Sequence, residues 1–289
     1  MVERGRAVAY GAVTIVNAIS CGLGAALGVR LKTEAEVRLT NEPGRIVGRI
    51  LSDPEESTIL IESVVNRVLE HFGLKDEYGA YVETTSNIPI ARGLKSSSAA
   101  ANAIALATVS ALGETIDDVT LVNLGVDAAI DAKVTITGAF DDACASYFGD
   151  IVITENMSRR ILKRVKAEDY TVLIHVPPEK SYTAKSDVKR MKLIAKEVAS
   201  VHGIALRGEH WQAMTINGIL YSSVLGYDTS IVIEALSAGA IASGLSGKGP
   251  AVASIVPEDA VDHVLEVLER WGGEIIKTEI NHEKAHRLV

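Results

Sequence analysis

The sequence predicts a two-part α+β protein, and three observations carry that reading. The first half mixes extended, partly alternating segments with helical ones, and a basic stretch, SRRILKRVKAED at 158–169, then interrupts the pattern. The second half closes on a strand–helix–strand unit, with AVASIVP at 251–257, a helix over 258–271 and GEIIKTEI at 273–280. Strands and helices that cluster rather than alternate strictly point to α+β architecture. The break near 156–168 divides the chain into expected units of 1–156 and 157–289.

Taken in order, residues 6–17 and 32–40 read as strands. In KTEAEVRLT, Glu34, Glu36 and Arg38 alternate with Ala35, Val37 and Leu39, as on a half-buried strand. RIVGRIL at 45–51 is its expected partner strand. Residues 57–72 place Ile61, Val64, Val65, Val68 and Leu69 at helical spacing and stop near Gly73. AYVETT at 80–85 is a strand, and Pro89 forces an extended or turned path after it. An alanine-rich helix follows over 97–112, stopped at Gly113; with no charged face, it is expected to be buried on nearly all sides. A second helix over 117–132 opens with Asp117 and Asp118, and DIVITE at 150–155 is a strand. Beyond the basic stretch, YTVLIHVPP at 170–178 is a strand, with helices over 183–201 and 207–225.

Composition narrows the function classes. A chain of 289 residues with 47% hydrophobic and 23% charged residues is globular rather than disordered. Aromatic residues make up only 4%, so the core must come from Val, Ile, Leu and Ala. A net charge of −8 argues against a nucleic-acid partner, although it leaves room for a local basic pocket. Cys21 and Cys144 form neither a disulfide framework nor a metal-ligand spacing, which fits a reducing, cytoplasmic setting. Residues 7–29 carry no charge and mimic a membrane anchor, but Thr14, Asn17, Ser20 and several glycines interrupt them. A buried strand followed by a close-packed Gly/Ala segment is the expectation there, with no membrane partner.

Three motifs fail on inspection. HEKAH at 282–286 has the zinc-protease spacing, but only three residues follow in this sequence, so a surface helix end is expected. GLGAALG at 22–28 misses the dinucleotide fingerprint because Leu27 stands where the third glycine belongs. GAIASGL at 239–245 has the glycine spacing of a P-loop, but Leu245 replaces its lysine.

The stretch IPIARGLKSSSAA is different. One side chain suffices to cap a helix, yet Ser96, Ser97 and Ser98 all stand at this helix start. Gly93 lets the backbone turn, and the free N–H groups of the following helix then form an anion site. Lys95 adds a positive charge, and a serine hydroxyl can bind Mg2+. A di- or triphosphate with Mg2+ suits this loop; a well-capped structural helix is the alternative. TGAFDDACAS at 137–146 supplies Asp141 and Asp142, acids able to take a proton from an attacking hydroxyl. Asp131, ten residues before Asp141, is a candidate metal ligand, and SGLSGKGPAV at 243–252 is a second glycine-rich loop.

These residues resemble the GHMP kinase superfamily. Its phosphate loop is matched by Pro89, Gly93, Leu94, Ser96, Ser97 and Ala99, its aspartate segment by DDACASYFG from Asp141, and its C-terminal motif by GLSGKGPA at 244–251. GLKSSSAAANA and AYGAVTIVNA are similar to the archaeal type of shikimate kinase within it. The resemblance implies an N-terminal α/β domain and a ferredoxin-like C-terminal domain, with the active site in the cleft between them. It also implies ATP and Mg2+ as cofactors and phosphorylation of a shikimate ring hydroxyl. Homoserine or an isoprenoid-pathway alcohol as acceptor, or a non-catalytic ligand sensor, are the alternatives. By the same match Asp141 is the catalytic acid, while Ser97 and Asp131 are the metal ligands. Residues Pro89, Ile90, Ala91, Arg92, Gly93, Leu94, Lys95, Ser96, Ser97 and Ser98, with Gly247, hold the nucleotide. Asn17, Arg92 and Lys95 are the substrate candidates, Lys185 and Arg190 being weaker ones. Where mevalonate kinases carry a lysine, this chain has Ala12, and Lys95 stands where the superfamily has glycine.

Overall fold

The computed structural model describes residues 4–135, 137–178 and 187–288. Two sheets organise them. In the first, β1 (Arg4–Val16) pairs antiparallel with β2 (Leu23–Thr40), a strand long enough to serve two neighbours. Its second half pairs with β4 (Gly79–Ser86), and its first half with β5 (Ile151–Glu155). The Gly/Ala segment after the first strand is therefore itself a strand. Both its faces are covered, so it lacks the alternation that marks a half-exposed one. Strand β3 (Ile46–Ile50) lies parallel to β4 at the sheet edge rather than beside residues 32–40. Strand β6 (Arg160–Val165), formed by the basic stretch, pairs with β5. By sheet membership the chain thus leaves the first layer after Val165, within the 156–168 stretch.

Helix α1 (Ile59–His71), α2 (Ser96–Leu112), α3 (Asp118–Asp131) and the short α4 (Phe140–Phe148) cover this sheet. Helix α2 is central: it touches β1, β2, α1, α3 and α4, and is buried over most of its circumference. Alanine is required because the backbones meet closely; a Cβ at Gly5 on β1 would lie 2.1 Å from the Ala107 carbonyl oxygen. The few larger side chains, such as Ile104 and Val109, are completely buried. Each contributes about 1.5–3 kcal/mol.

The second sheet is antiparallel, in the order β10 (Glu274–Glu279), β7 (Thr171–Val176), β9 (Val252–Val256), β8 (Ala242–Leu245). Numbered within this half, that is fourth–first–third–second, the expected ferredoxin-like arrangement. Its helices are α5 (Val188–Met191), α6 (Ala195–Leu206), α7 (His210–Leu225), α8 (Ser230–Ser237) and α9 (Val261–Glu269). Helix α7 packs on both β8 and β1 and so joins the layers.

The last described residues return to the first sheet. Val29 bridges Ile280, the Asn281 amide donates to the Gly28 carbonyl at 2.9 Å, and β11 (His286–Leu288) pairs with β1. HEKAH is therefore not a helix end: 282–285 carry no regular structure, and His286 opens β11 on the edge of β1. His282 sits between Asp150 and Asp169, and no group of three or more His, Cys, Asp or Glu able to hold a metal occurs among the described residues. No helix among them is long and apolar enough to cross a membrane.

Candidate active site

After β4 the chain turns through left-handed backbone at Ala91 (φ 57°), Gly93 (φ 88°) and Lys95 (φ 64°) before entering α2. Lys95 occupies the capping position, and its side chain makes no capping bond. The three serines follow as the first turn, and all three line a cavity of about 360 Å³, as do Ile90, Ala91, Gly93 and Lys95. A helix N-terminus without a capping side chain or first-turn acid presents free N–H groups and positive potential to an anion.

Part of the cavity wall comes from the turn after β8. Ser246 Oγ donates to the Gly93 carbonyl at 2.7 Å, and the Ala251 amide donates to the Arg92 carbonyl at 3.2 Å. A Cβ at Gly93 would lie 2.1 Å from the Ser246 carbonyl oxygen, so the loops meet only because this residue is glycine. The end of β1 joins them. The Gly247 amide donates to Thr14 Oγ1 at 2.8 Å, and Asn17 Nδ2 donates to the Gly247 carbonyl at 2.7 Å. Asn17 Oδ1 accepts from the Ile19 amide at 3.0 Å, so this cavity-lining amide ties two loops together.

Both aspartates face the cavity from the first turn of α4. Asp142 forms a 3.0 Å ion pair with Lys95, whose charge thus comes from the phosphate loop rather than from the Ala12 position. Asp141 is 4% exposed, and Asn156 Nδ2 donates to its Oδ1 at 2.8 Å. Burial, reinforced by the neighbouring Asp142 charge, pushes its pKa up to about 7, against the lowering effects of Lys95 and Asn156. Lys248 also lines the cavity; burial, with the Lys95 charge next, holds it down to about 8.

Several expectations do not survive. Asp131 lies on the outer face of α3, where Arg67 of α1 donates to it at 2.6 Å and lowers its pKa. It is no part of the cavity lining, because the register of α3 turns Ala129 inward instead. Arg92 is not among the residues that line the cavity, and its Nη2 donates to the Pro178 carbonyl at 2.5 Å. Leu94 packs into the core, and neither it nor Pro89 lines the cavity. Arg190 lies on α5, outside the cavity wall, and Lys185 falls outside the described residues.

Conversely, Lys248, Asn156 and Gly24 belong to the site and were not singled out. A lysine between two glycines in a loop was a usable signal for the first. Asn156 and Gly24 carry no local signature, since their roles exist only through Asp141.

Comparison with known proteins gives the family and the fold. The profile described as GHMP kinases N terminal domain matches residues 59–150, and that described as GHMP kinases C terminal matches residues 212–274. A shikimate kinase of Methanococcoides burtonii is 46% identical over 290 residues, covering 100% of each chain. One from Methanosarcina mazei is 47% identical, covering 99% of this chain and 97% of its own. Among solved structures, a homoserine kinase from Cytophaga hutchinsonii superposes with a TM-score of 0.78 at 19% identity, covering 100% of this chain and 98% of its own. The Methanococcus jannaschii mevalonate kinase does so with 0.76 at 17% identity, covering 96% and 98%. These two show a shared fold.

Proposed function

Since the chain belongs to the GHMP kinases, we propose that it transfers the γ-phosphoryl group of ATP to a ring hydroxyl of shikimate, giving shikimate 3-phosphate and ADP. The observation that carries the reaction type is that the uncapped start of α2 and the buried Asp141 wall one cavity. The acceptor is supported by the full-length relatives named shikimate kinase.

We assign the cavity two sides: Ile50 of β3 with Leu60 and Ile61 of α1 offers apolar surface suited to the base, while Asn17, Ile19 and the 247–249 turn receive the acceptor. Asp141 belongs with the second, because it packs on Gly24, next to the Val16–Ala25 pair that ends β1. There the acceptor hydroxyl gives its proton to Asp141 as its oxygen bonds to the γ-phosphorus and the bond to the β-phosphate oxygen breaks. N–H groups of the first turn of α2 stabilise charge on the phosphates.

Lys248, which lines the cavity beside Lys95, is the cation we assign to the acceptor's carboxylate. A bound anion would relieve the burial of its ammonium. Mg2+ fits at Ser97, since this ion takes most of its six ligands from phosphates and water and needs few from protein. When bound it neutralises phosphate charge. Asp131 does not share it.

The test is ADP release from MgATP with shikimate, homoserine or mevalonate supplied singly. Release with shikimate alone is the expected result. Release with another acceptor alone would overturn the substrate and keep the reaction. Tight ATP binding with silence towards all three would favour a ligand sensor.

A further inference from the structure

Asp141 is not held by its own helix alone. The chain leaves β5 at Glu155, and the next residue, Asn156, turns back underneath α4, its amide donating to the Gly22 carbonyl at 2.7 Å. Its side chain is 5% exposed, and that of Thr154 beside it is completely buried.

The hydrogen bonds fix the amide's orientation. Thr154 Oγ1 has one proton and two acceptors in reach, Asn156 Oδ1 at 2.6 Å and the Gly24 carbonyl at 3.5 Å, and the shorter contact takes it. With Oδ1 thus accepting, the NH2 group must face Asp141, where it donates to Oδ1 at 2.8 Å. A reversed amide would set its carbonyl against the ionised carboxyl and leave the threonine proton only the 3.5 Å contact to the Gly24 carbonyl. The far oxygen, Asp141 Oδ2, lies against Gly24, where a Cβ would come within 2.4 Å of it.

We propose that Asn156, oriented by Thr154, is a positioning residue for Asp141: its donor to Oδ1, with Gly24 packed against Oδ2, fixes the rotation of the carboxyl that receives the acceptor's proton. The proposal rests on the reading of Asp141 as the base. It goes beyond that reading by naming the two side chains that orient the base. During transfer the O–H bond of the acceptor breaks and a bond forms from that proton to the Asp141 carboxyl. Asn156 is not among the residues that line the cavity.

Asn156→Ala tests this with two readouts, steady-state kinetics and the 13C titration of the Asp141 carboxyl in the unliganded protein. We expect kcat to fall about 10- to 100-fold, with KM for ATP and acceptor within about threefold of wild type, because misorientation acts on the chemical step. The carboxyl titration should move to higher pH, since a donor to the ionised form is lost. Asp142 and Cys144 on α4, Lys95 of the phosphate loop and Tyr221 of α7 also face Asp141 and are unchanged in both proteins. Thr154→Val, which keeps the amide but frees its orientation, should move both readouts in the same direction by about threefold or more.

Wild-type kcat in folded Asn156→Ala would overturn the proposal, as would an unmoved carboxyl titration. A rise in KM at constant kcat would do the same. Should Asn156→Ala fail to fold, Thr154→Val carries both readouts. Inactivity of the wild-type protein with every acceptor would count against the reading of function, while the carboxyl titration would still decide the role of Asn156.

Discussion

Gly24 has no side chain because Asp141 fills the space one would take, so a glycine and an acid more than a hundred residues apart form one unit. The acid was legible only in company: Asp141 and Asp142 alone read as a turn with a solvated acid, and the two glycine-rich loops made them a candidate site. Gly24 was visible only as part of a failed dinucleotide motif, because what it accommodates comes from another helix. Asp131 misled because a helical register cannot be read closely enough from sequence, and two residues separate Ala129 facing the cavity from Asp131 facing Arg67. Asp141→Asn should lower kcat by about 10²–10⁴-fold with little change in ATP affinity. It should also stabilise the protein. The native carboxyl titrates at about 7 and the unfolded one near 3.8, so the native state binds more protons between these values. Stability is therefore lost as pH rises across that window, and a neutral amide escapes the loss. Thermal melts near pH 8 should favour the variant, and the advantage should shrink towards pH 4. A variant less stable than wild type near pH 8 would contradict the burial of an ionisable Asp141.

At the scale of elements, helix α2 was the most legible part. Its alanine content, the absence of charge and the Gly113 stop set its limits to within a residue of those observed. The serines were read as more than caps; Lys95 holds the cap position, and all three serines line the cavity. The helix α4 was missed because nine residues opening with Phe-Asp-Asp give too few turns to show a period. The first half of β2 was missed because full burial erases alternation. Alanine is structurally necessary on α2 where it crosses β1, so Ala107→Leu should cost about 1–3 kcal/mol from overpacking. Urea denaturation measures this directly, and an unchanged midpoint would mean that α2 and β1 stand farther apart than described.

For the whole molecule, the sheets are joined where the end of β1, the phosphate loop and the 246–250 turn exchange hydrogen bonds. Asn17 was expected to contact the acceptor, and its amide is committed to Gly247 and Ile19. Asn17→Ala should therefore lower stability by about 1–3 kcal/mol and raise KM for both ATP and acceptor, because the walls lose register. A rise for the acceptor alone, with stability intact, would restore Asn17 as a direct contact. The two-part organisation could be read from the clustering of strands, but the return of residues 280–288 to the first sheet could not. Pairing across almost the whole chain leaves no local trace.

That return has a consequence for how the enzyme is made. The end of α4, whose opposite end carries Asp141, is satisfied by the Ala285 amide donating to the Tyr147 carbonyl at 2.7 Å, while Lys284 bonds Asp118 at 2.7 Å. During translation a leading domain normally folds while the rest is still being synthesised. Here the first layer takes in residues 280–288, which emerge after the entire second sheet. A ribosome stalled before residue 280 would carry every residue of the cavity wall, yet the Tyr147 carbonyl would lack the Ala285 amide and Asp118 would lack Lys284. The hydrogen bonding around the helix that carries Asp141 is thereby completed only after both sheets have been synthesised.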